Sequence, residues 1–264
     1  MKRFHLLTLI AILAFVGCIA FVVLPLLNLF FNISSQKFLN TLTDGEVWEA
    51  IKISFIAALG ASILGLILGV PAGYFLTRYR FYGREFIESL LNIPVVIPHV
   101  AVGIFLLNLL NENAPLGKFF SFFHITFVDT IYGIMVAMCY VSFSYIVSSA
   151  NLGFRSINPD LELTARTLGA TPWYTLLHIT VPLLFPYVLR GVVLAFARSI
   201  SEVGALLIIA YYPKTAPIVL YERFENYGLS YATPITALII LLSFLIFILL
   251  VMTSKKIEGG KNGS

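Results

Sequence analysis

The sequence predicts an all-α integral membrane protein with six transmembrane helices. Three observations carry that prediction. Of the 264 residues, 59% are hydrophobic and only 11% are charged, whereas a soluble domain is about 45–50% apolar and about 25% charged. The mean hydropathy is +0.94, and a soluble globule cannot hide that much apolar surface, because even a large domain leaves about a quarter of its chain surface exposed. Five long runs contain no Asp, Glu, Lys or Arg at all. A soluble enzyme, a disordered chain and a disulfide-stapled secreted scaffold are thereby excluded.

A crossing needs roughly 20 apolar residues. The first charge-free run, Phe4–Gln36, holds a helix over about residues 4–31. Lys2-Arg3 ahead of it fits a signal peptide, but the run is far longer than the 7–15 residues of a signal core, so an uncleaved helix is expected. The runs Ile53–Thr77, Ser89–Asn111, Thr130–Phe154 and Asn226–Ser254 centre further crossings over about 49–78, 86–111, 130–153 and 231–253. The remaining crossing, 183–212, is apolar except for Arg190, Arg198 and Glu202. Together they make one membrane domain, 1–264. Cys18 and Cys139 sit in apolar runs and read as small buried hydrophobes.

Six crossings put both termini on one side, and lysine and arginine choose that side. With the ends inside, the inner segments carry Lys2, Arg3, Arg78, Arg80, Arg84, Arg155, Arg166, Lys255, Lys256 and Lys261, and the outer ones only Lys37, Lys118, Lys214 and Arg223, with Lys52 at an outer lip. The expectation is a multi-pass protein of the cell membrane with cytoplasmic termini. The net charge of +4 then belongs to cationic loops on the cytoplasmic side of the lipid bilayer, not to nucleic-acid binding.

Within the spans, Gly60, Gly65, Gly69 and Gly73 of the second crossing permit close helix packing. Pro94 and Pro98 interrupt the third; each removes a backbone donor, and His99 is placed to hydrogen-bond a freed carbonyl, a structural role preferred over binding a cargo. In the fifth, Arg198 and Glu202 are four apart and share a helical face, with Arg190 two turns earlier. Two readings stand for them: an internal ion pair, or an Arg198 that lines an anion path. The outer segments 32–47, 112–128 and 213–230 hold a loop or a small lateral helix, not a domain. There is no phosphate loop, no HExxH and no metal-spaced cluster, so no catalytic, cofactor-binding or metal residues are assigned, and any energy comes from an ion gradient or another subunit.

The one long inner segment, 155–181, carries most of the information. Asn158 is a good helix N-cap, Pro159 suits the first helical position, and Asp160 and Glu162 lie near the positive helix end. Leu161, Ala165 and Leu168 recur on one face, Glu162 and Arg166 are set for an i,i+4 pair, and Gly169 ends the helix in a left-handed conformation. Thr171-Pro172 starts a second short helix that ends before Pro182. Such an elbow either lies on lipid headgroups or docks in the groove of a soluble partner.

Glu162-Leu163-Thr164-Ala165-Arg166-Thr167-Leu168-Gly169, followed by Ile179-Thr180-Val181-Pro182, resembles the EAA motif of ABC importer permeases. Thr164 stands where many members carry alanine. The resemblance implies a type I ABC importer permease bundle in which Glu162, Thr164, Ala165, Arg166, Leu168, Gly169, Ile179 and Pro182 form the cytoplasmic coupling helix that sits in the ATPase. Asn92–His99 and Ala197–Ala205 look like segments of permeases for molybdate, tungstate or sulfate, and Tyr211-Tyr212-Pro213, Ala216-Pro217 and Tyr221-Glu222-Arg223 are similar to the archaeal molybdate/tungstate branch. By that resemblance the partners are a second copy of the chain, two ABC ATPase subunits that hold ATP and Mg, and an extracellular oxyanion-binding protein. The gate is expected at Pro94, Pro98, His99, Arg198, Glu202 and Gly204. A stand-alone secondary transporter, which calls for repeated intramembrane carboxylates, has only Glu202 to draw on and leaves the elbow unexplained.

Overall fold

A computed structural model describes residues 2–259; Lys261, counted above among the inner cations, lies outside the described residues. The chain forms α1 (Lys2–Phe31), α2 (Ser35–Leu42), α3 (Gly45–Arg78), α4 (Arg84–Asn92), α5 (His99–Leu110), α6 (Pro115–Ser121) and α7 (Ile131–Ser156). It continues through α8 (Pro159–Thr167), α9 (Pro172–Thr175), α10 (Val181–Ile200), α11 (Leu206–Ile209), α12 (Ala216–Tyr227) and α13 (Leu229–Gly259). Among the described residues there is no strand. Five helical segments are long and apolar enough to cross a membrane, and the bent pair α4–α5 supplies a sixth.

Two of the expected crossings take a different form. The third, expected over 86–111, is broken: α4 with the 3-10 turn Ile93–Val95 meets α5 at 106°. Pro94 lies in that turn and Pro98 caps α5, and neither has an N–H for a continuous helical ladder. The 12 residues of α5 rise only about 18 Å, short of the ~30 Å hydrocarbon core. The fifth crossing, expected over 183–212, is shifted towards the elbow. It runs 29 residues from Pro172 to Ile200, because the second elbow helix does not end before Pro182. A π-helical turn, Leu176–Thr180, absorbs the ladder position that Pro182 cannot fill, and α9 flows into α10. At the far end the helix stops at Ile200, and Ser201–Ala205 is irregular before α11.

The packing follows from side-chain size. The glycines of α3 lie against α7: a Cβ at Gly73 would be 2.8 Å from Ala150 Cβ, and one at Gly65 would be 2.7 Å from Ile146 Cδ1. Small faces allow backbones to approach where apolar burial alone gives no preference for helix over lipid. α3, α7, α5 and α11 enclose the main core around Ala57, Ala61, Val102, Ile134, Met138 and Leu206. A second cluster joins α3 to α12 and α13 through Val47, Ile51, Val219 and Ile235. α1 buries none of its described side chains between residues 7 and 31. Cys139 is buried as expected, but Cys18 is exposed on α1.

The two ends of the bundle differ. At one end the elbow α8–α9 meets the end of α3. At the other lie the short helices α2, α6 and α12, and ion pairs knit the start of α3 to α12. Lys214 Nζ lies 2.9 Å from Glu46 and 2.7 Å from Glu222, and Arg223 Nη2 lies 3.0 Å from Asp44 and 2.8 Å from Glu46. Glu222 first, then Glu46, hold the Lys214 ammonium well above the ordinary lysine range.

Candidate functional site

The elbow is built by punctuation. Asn158 accepts from the Asp160 N–H at 3.0 Å, and Pro159 opens α8. The helix ends in a Schellman motif: Ala170 N–H donates to Ala165 O at 3.0 Å and Gly169 N–H to Arg166 O at 3.0 Å, with Gly169 at φ +94°. A left-handed residue is what this closure requires. Thr171 then caps α9 through the Tyr174 N–H at 3.2 Å. No residue of α8 is buried. Leu168 is 84% and Trp173 72% exposed, with Leu161 and Leu163 also exposed. Thr164 and Arg166 are exposed alongside them, Ala165 and Ile179 are half-buried, and Pro182 sits at the second position of α10.

Glu162 does not pair with Arg166. Its Oε1 accepts from Arg78 Nη2 at 2.7 Å and from Thr180 Oγ1 at 3.0 Å, and no Glu162–Arg166 ion pair occurs among the described residues. The reason is reach: Glu162 faces the bundle, where α3 ends in a cation, whereas Arg166 one turn on lies exposed. One carboxylate therefore ties the elbow to the end of α3 and to the π turn that leads into α10. A further tie holds α4. Glu88 accepts from Asn151 Nδ2 at 2.8 Å and from Arg155 Nη2 at 3.1 Å, and Ser144 Oγ donates to Leu91 O at 2.7 Å.

The second cluster joins the two broken crossings. Glu202 is fully buried at 0% exposure. Its Oε2 lies 3.0 Å from Arg198 Nη2 and 2.6 Å from His99 Nδ1, while its Oε1 accepts from the Ala205 N–H at 2.8 Å. His99 thus turns to a carboxylate and not to a proline-freed carbonyl. With Nδ1–H donated to Glu202, its Nε2 is left to accept from Arg198 Nη2, 2.7 Å away. The Arg198–Glu202 ion pair is present, and Glu202 at once caps α11 and holds the first residue of α5. Gly204 and Gly103 let these breaks meet: a Cβ at Gly204 would be 3.0 Å from His99 Cβ, and one at Gly103 would be 2.6 Å from Ala205 O. The backbone oxygen cannot swing aside as a side chain can. Gly103→Ala is therefore expected to destabilise the bundle by about 1–3 kcal/mol, the usual overpacking cost, seen as a lower melting temperature in detergent; an unchanged melt would refute the close packing of α5 on α11.

Arg78, Thr180 and Glu88 were not singled out from the sequence. Arg78 figured only in the cation tally. No local signal marks it as the partner of a residue 84 positions away, and the acid at the start of the EAA-like motif gives only a generic demand for a cation.

The model of the binding-protein-dependent transport system inner membrane component family matches residues 61–259. The chain belongs to this family. The permease is 38% identical over 234 residues to the molybdate/tungstate transport system permease protein WtpB of Thermococcus kodakarensis, covering 88% of this chain and 90% of the relative. The WtpB of Methanocaldococcus jannaschii is 39% identical over 88% of this chain and 90% of its own. The sulfate permease CysT of Escherichia coli is 30% identical over 81% of the chain and 79% of its own length. Among solved structures, a bacterial ABC transporter involved in the import of alginate superposes with a TM-score of 0.69 at 20% identity, covering 97% of this chain and 96% of that one. The fold is that of a type I ABC importer permease: a multi-pass membrane subunit, not itself catalytic.

Proposed function

We propose that the permease carries molybdate or tungstate across the cell membrane as part of an ATP-driven importer. The observation that carries the cargo reading is the 38–39% identity to the archaeal molybdate/tungstate permeases over 88% of the chain, against 30–31% to sulfate permeases. In this reading two copies form the path, two separate ATPase subunits hold ATP and Mg and take the elbow helices, and an extracellular binding protein delivers the anion to the α2–α6–α12 end. The excess of lysine and arginine on the elbow side supports cytoplasmic termini.

The geometry suggests how force travels. ATP-driven closure of the ATPase moves α8. Because Glu162 grips both Arg78 and Thr180, the movement passes directly into α3 and α10. α10 carries Arg198 of the His99–Glu202–Arg198 junction at its far end, so displacement of α10 against α5 opens or closes the path. The permease makes no covalent change in the cargo; its part is alternating access.

The test is uptake by proteoliposomes containing the permease, its ATPase and its binding protein. ATP-dependent accumulation of tungstate and molybdate, with sulfate a weak competitor, is the expected result. Sulfate transported in preference to both would move the cargo assignment to the sulfate class, and uptake driven by an ion gradient without ATP would remove the importer reading altogether.

A further inference from the structure

We propose that Arg190 is the cationic contact for the anion inside the membrane, in a water-filled cavity between α10, α7 and the end of α4; the inference rests on the importer reading above. α10 carries two arginines along the path. Arg198 is already committed to Glu202 and His99. Arg190 is eight residues nearer the elbow, about 12 Å along the helix. It is exposed, and among the described residues it has neither an ion-pair nor a hydrogen-bond partner.

An unpaired arginine within a span is costly unless it faces water or a partner. Here it faces a cavity of about 350 Å³, whose walls include Asn92, Ser148, Ser149 and Tyr187. No carboxylate lines it. The nearest acid on these elements, Glu88, is taken by Asn151 and Arg155. Ser148 Oγ is spent on Asn92 Oδ1 at 3.2 Å, the Asn92 amide on Glu88 O at 2.8 Å, and Ser144 Oγ on Leu91 O, which leaves the hydroxyls of Tyr145, Ser149 and Tyr187 on the cavity wall with the guanidinium. A tetrahedral oxyanion takes hydrogen bonds from a guanidinium edge and from hydroxyls. One cation without a closed cage gives a weak site, and a transit site must be strong enough to admit its ion and weak enough to release it. The charge of Arg198, by contrast, is countered by the carboxylate that touches it. The gate expected from the sequence includes Arg198 and not Arg190; the contacts favour Arg190 instead.

The experiment compares Arg190→Ala, Arg190→Gln and Arg190→Lys in the complete transporter, in proteoliposomes supplied with tungstate-loaded binding protein. The loss of one charge-assisted contact is expected to lower tungstate uptake about ten-fold in the Ala and Gln variants. Lys recovers most of it. Assembly, and stimulation of ATP hydrolysis by the binding protein, stay at the wild-type level in all three. Wild-type uptake in Arg190→Ala overturns the inference. So does loss of the permease dimer in that variant, which would show the arginine pairing with the second copy. A wild-type transporter that accumulates no oxyanion would instead overturn the importer reading for this cargo, a separate and recognisable failure.

Discussion

Gly169→Val is expected to abolish ATP-driven uptake while leaving the membrane bundle folded. A Cβ at residue 169 would meet nothing within 4 Å, so the substitution creates no clash. Its whole cost is conformational. At φ +94° an L-residue is strained by about 1–3 kcal/mol, and a β-branched one stands at the upper end. No neighbour can relieve that by moving. The chain relieves it by leaving the left-handed region, which breaks the Schellman pair from Gly169 and Ala170 to Arg166 and Ala165. α8 then no longer holds its angle to α9, and the exposed Leu161, Leu168 and Trp173 cease to form one surface. The core lies elsewhere and is untouched. Asn tolerates the left-handed conformation, so Gly169→Asn is expected to keep most of the uptake and so separates conformational strain from loss of a small residue. The checks are co-purification of the ATPase, uptake, and the melting temperature of the permease in detergent. Normal co-purification and uptake in Gly169→Val would sink the assignment of the elbow as the coupling element.

Gly169 also shows which parts of the molecule were legible in the chain. Caps, prolines in the first turn and a terminal glycine act through bonds to residues two to five positions away. Asn158, Pro159, Gly169 and Thr171 could therefore be placed before any fold was known. The apolar runs were readable for a similar reason, since span length depends on local hydropathy alone. What could not be read is set by distance in sequence. The Glu162 carboxylate had an obvious local candidate in Arg166 and took the remote Arg78 instead. Pro94 and Pro98 announced an interruption but not a 106° bend, because the angle depends on α4 being tied to α7 through Glu88 and Leu91. The end of the fifth crossing was misplaced by about a dozen residues. Val203 to Ala210 is apolar enough to continue a helix, and only the contact of Glu202 with His99 and Ala205 reveals why it stops. Proline removes a bond from the ladder at Pro94 and Pro98 and again at Pro182, yet a π turn accommodates it at Pro182, so the same residue type breaks one crossing and merely widens a turn in another.

Replacing Glu202 is expected to have the largest effect on stability of any change inside the bundle. In Glu202→Ala the Arg198 guanidinium, 20% exposed, loses its counter-ion, His99 loses its acceptor and the Ala205 N–H is orphaned. Removing one partner of a buried ion pair costs about 3–5 kcal/mol, chiefly because the other charge stays buried without compensation. Glu202→Gln keeps an oxygen for the Ala205 N–H and should cost less. A double-mutant cycle with Arg198 separates the two roles that the sequence left open for this pair. If the ion pair is structural, Arg198→Met in the Glu202→Gln background removes the stranded charge and restores part of the melting temperature, and uptake follows the recovery. If Arg198 also faces the anion, the double variant regains stability but not uptake. The site at Arg190 predicts the first outcome: with a free arginine farther down α10 to meet the anion, Arg198 is released to hold α5 against the end of α10, so its loss is felt in the melt and is repairable without restoring the charge.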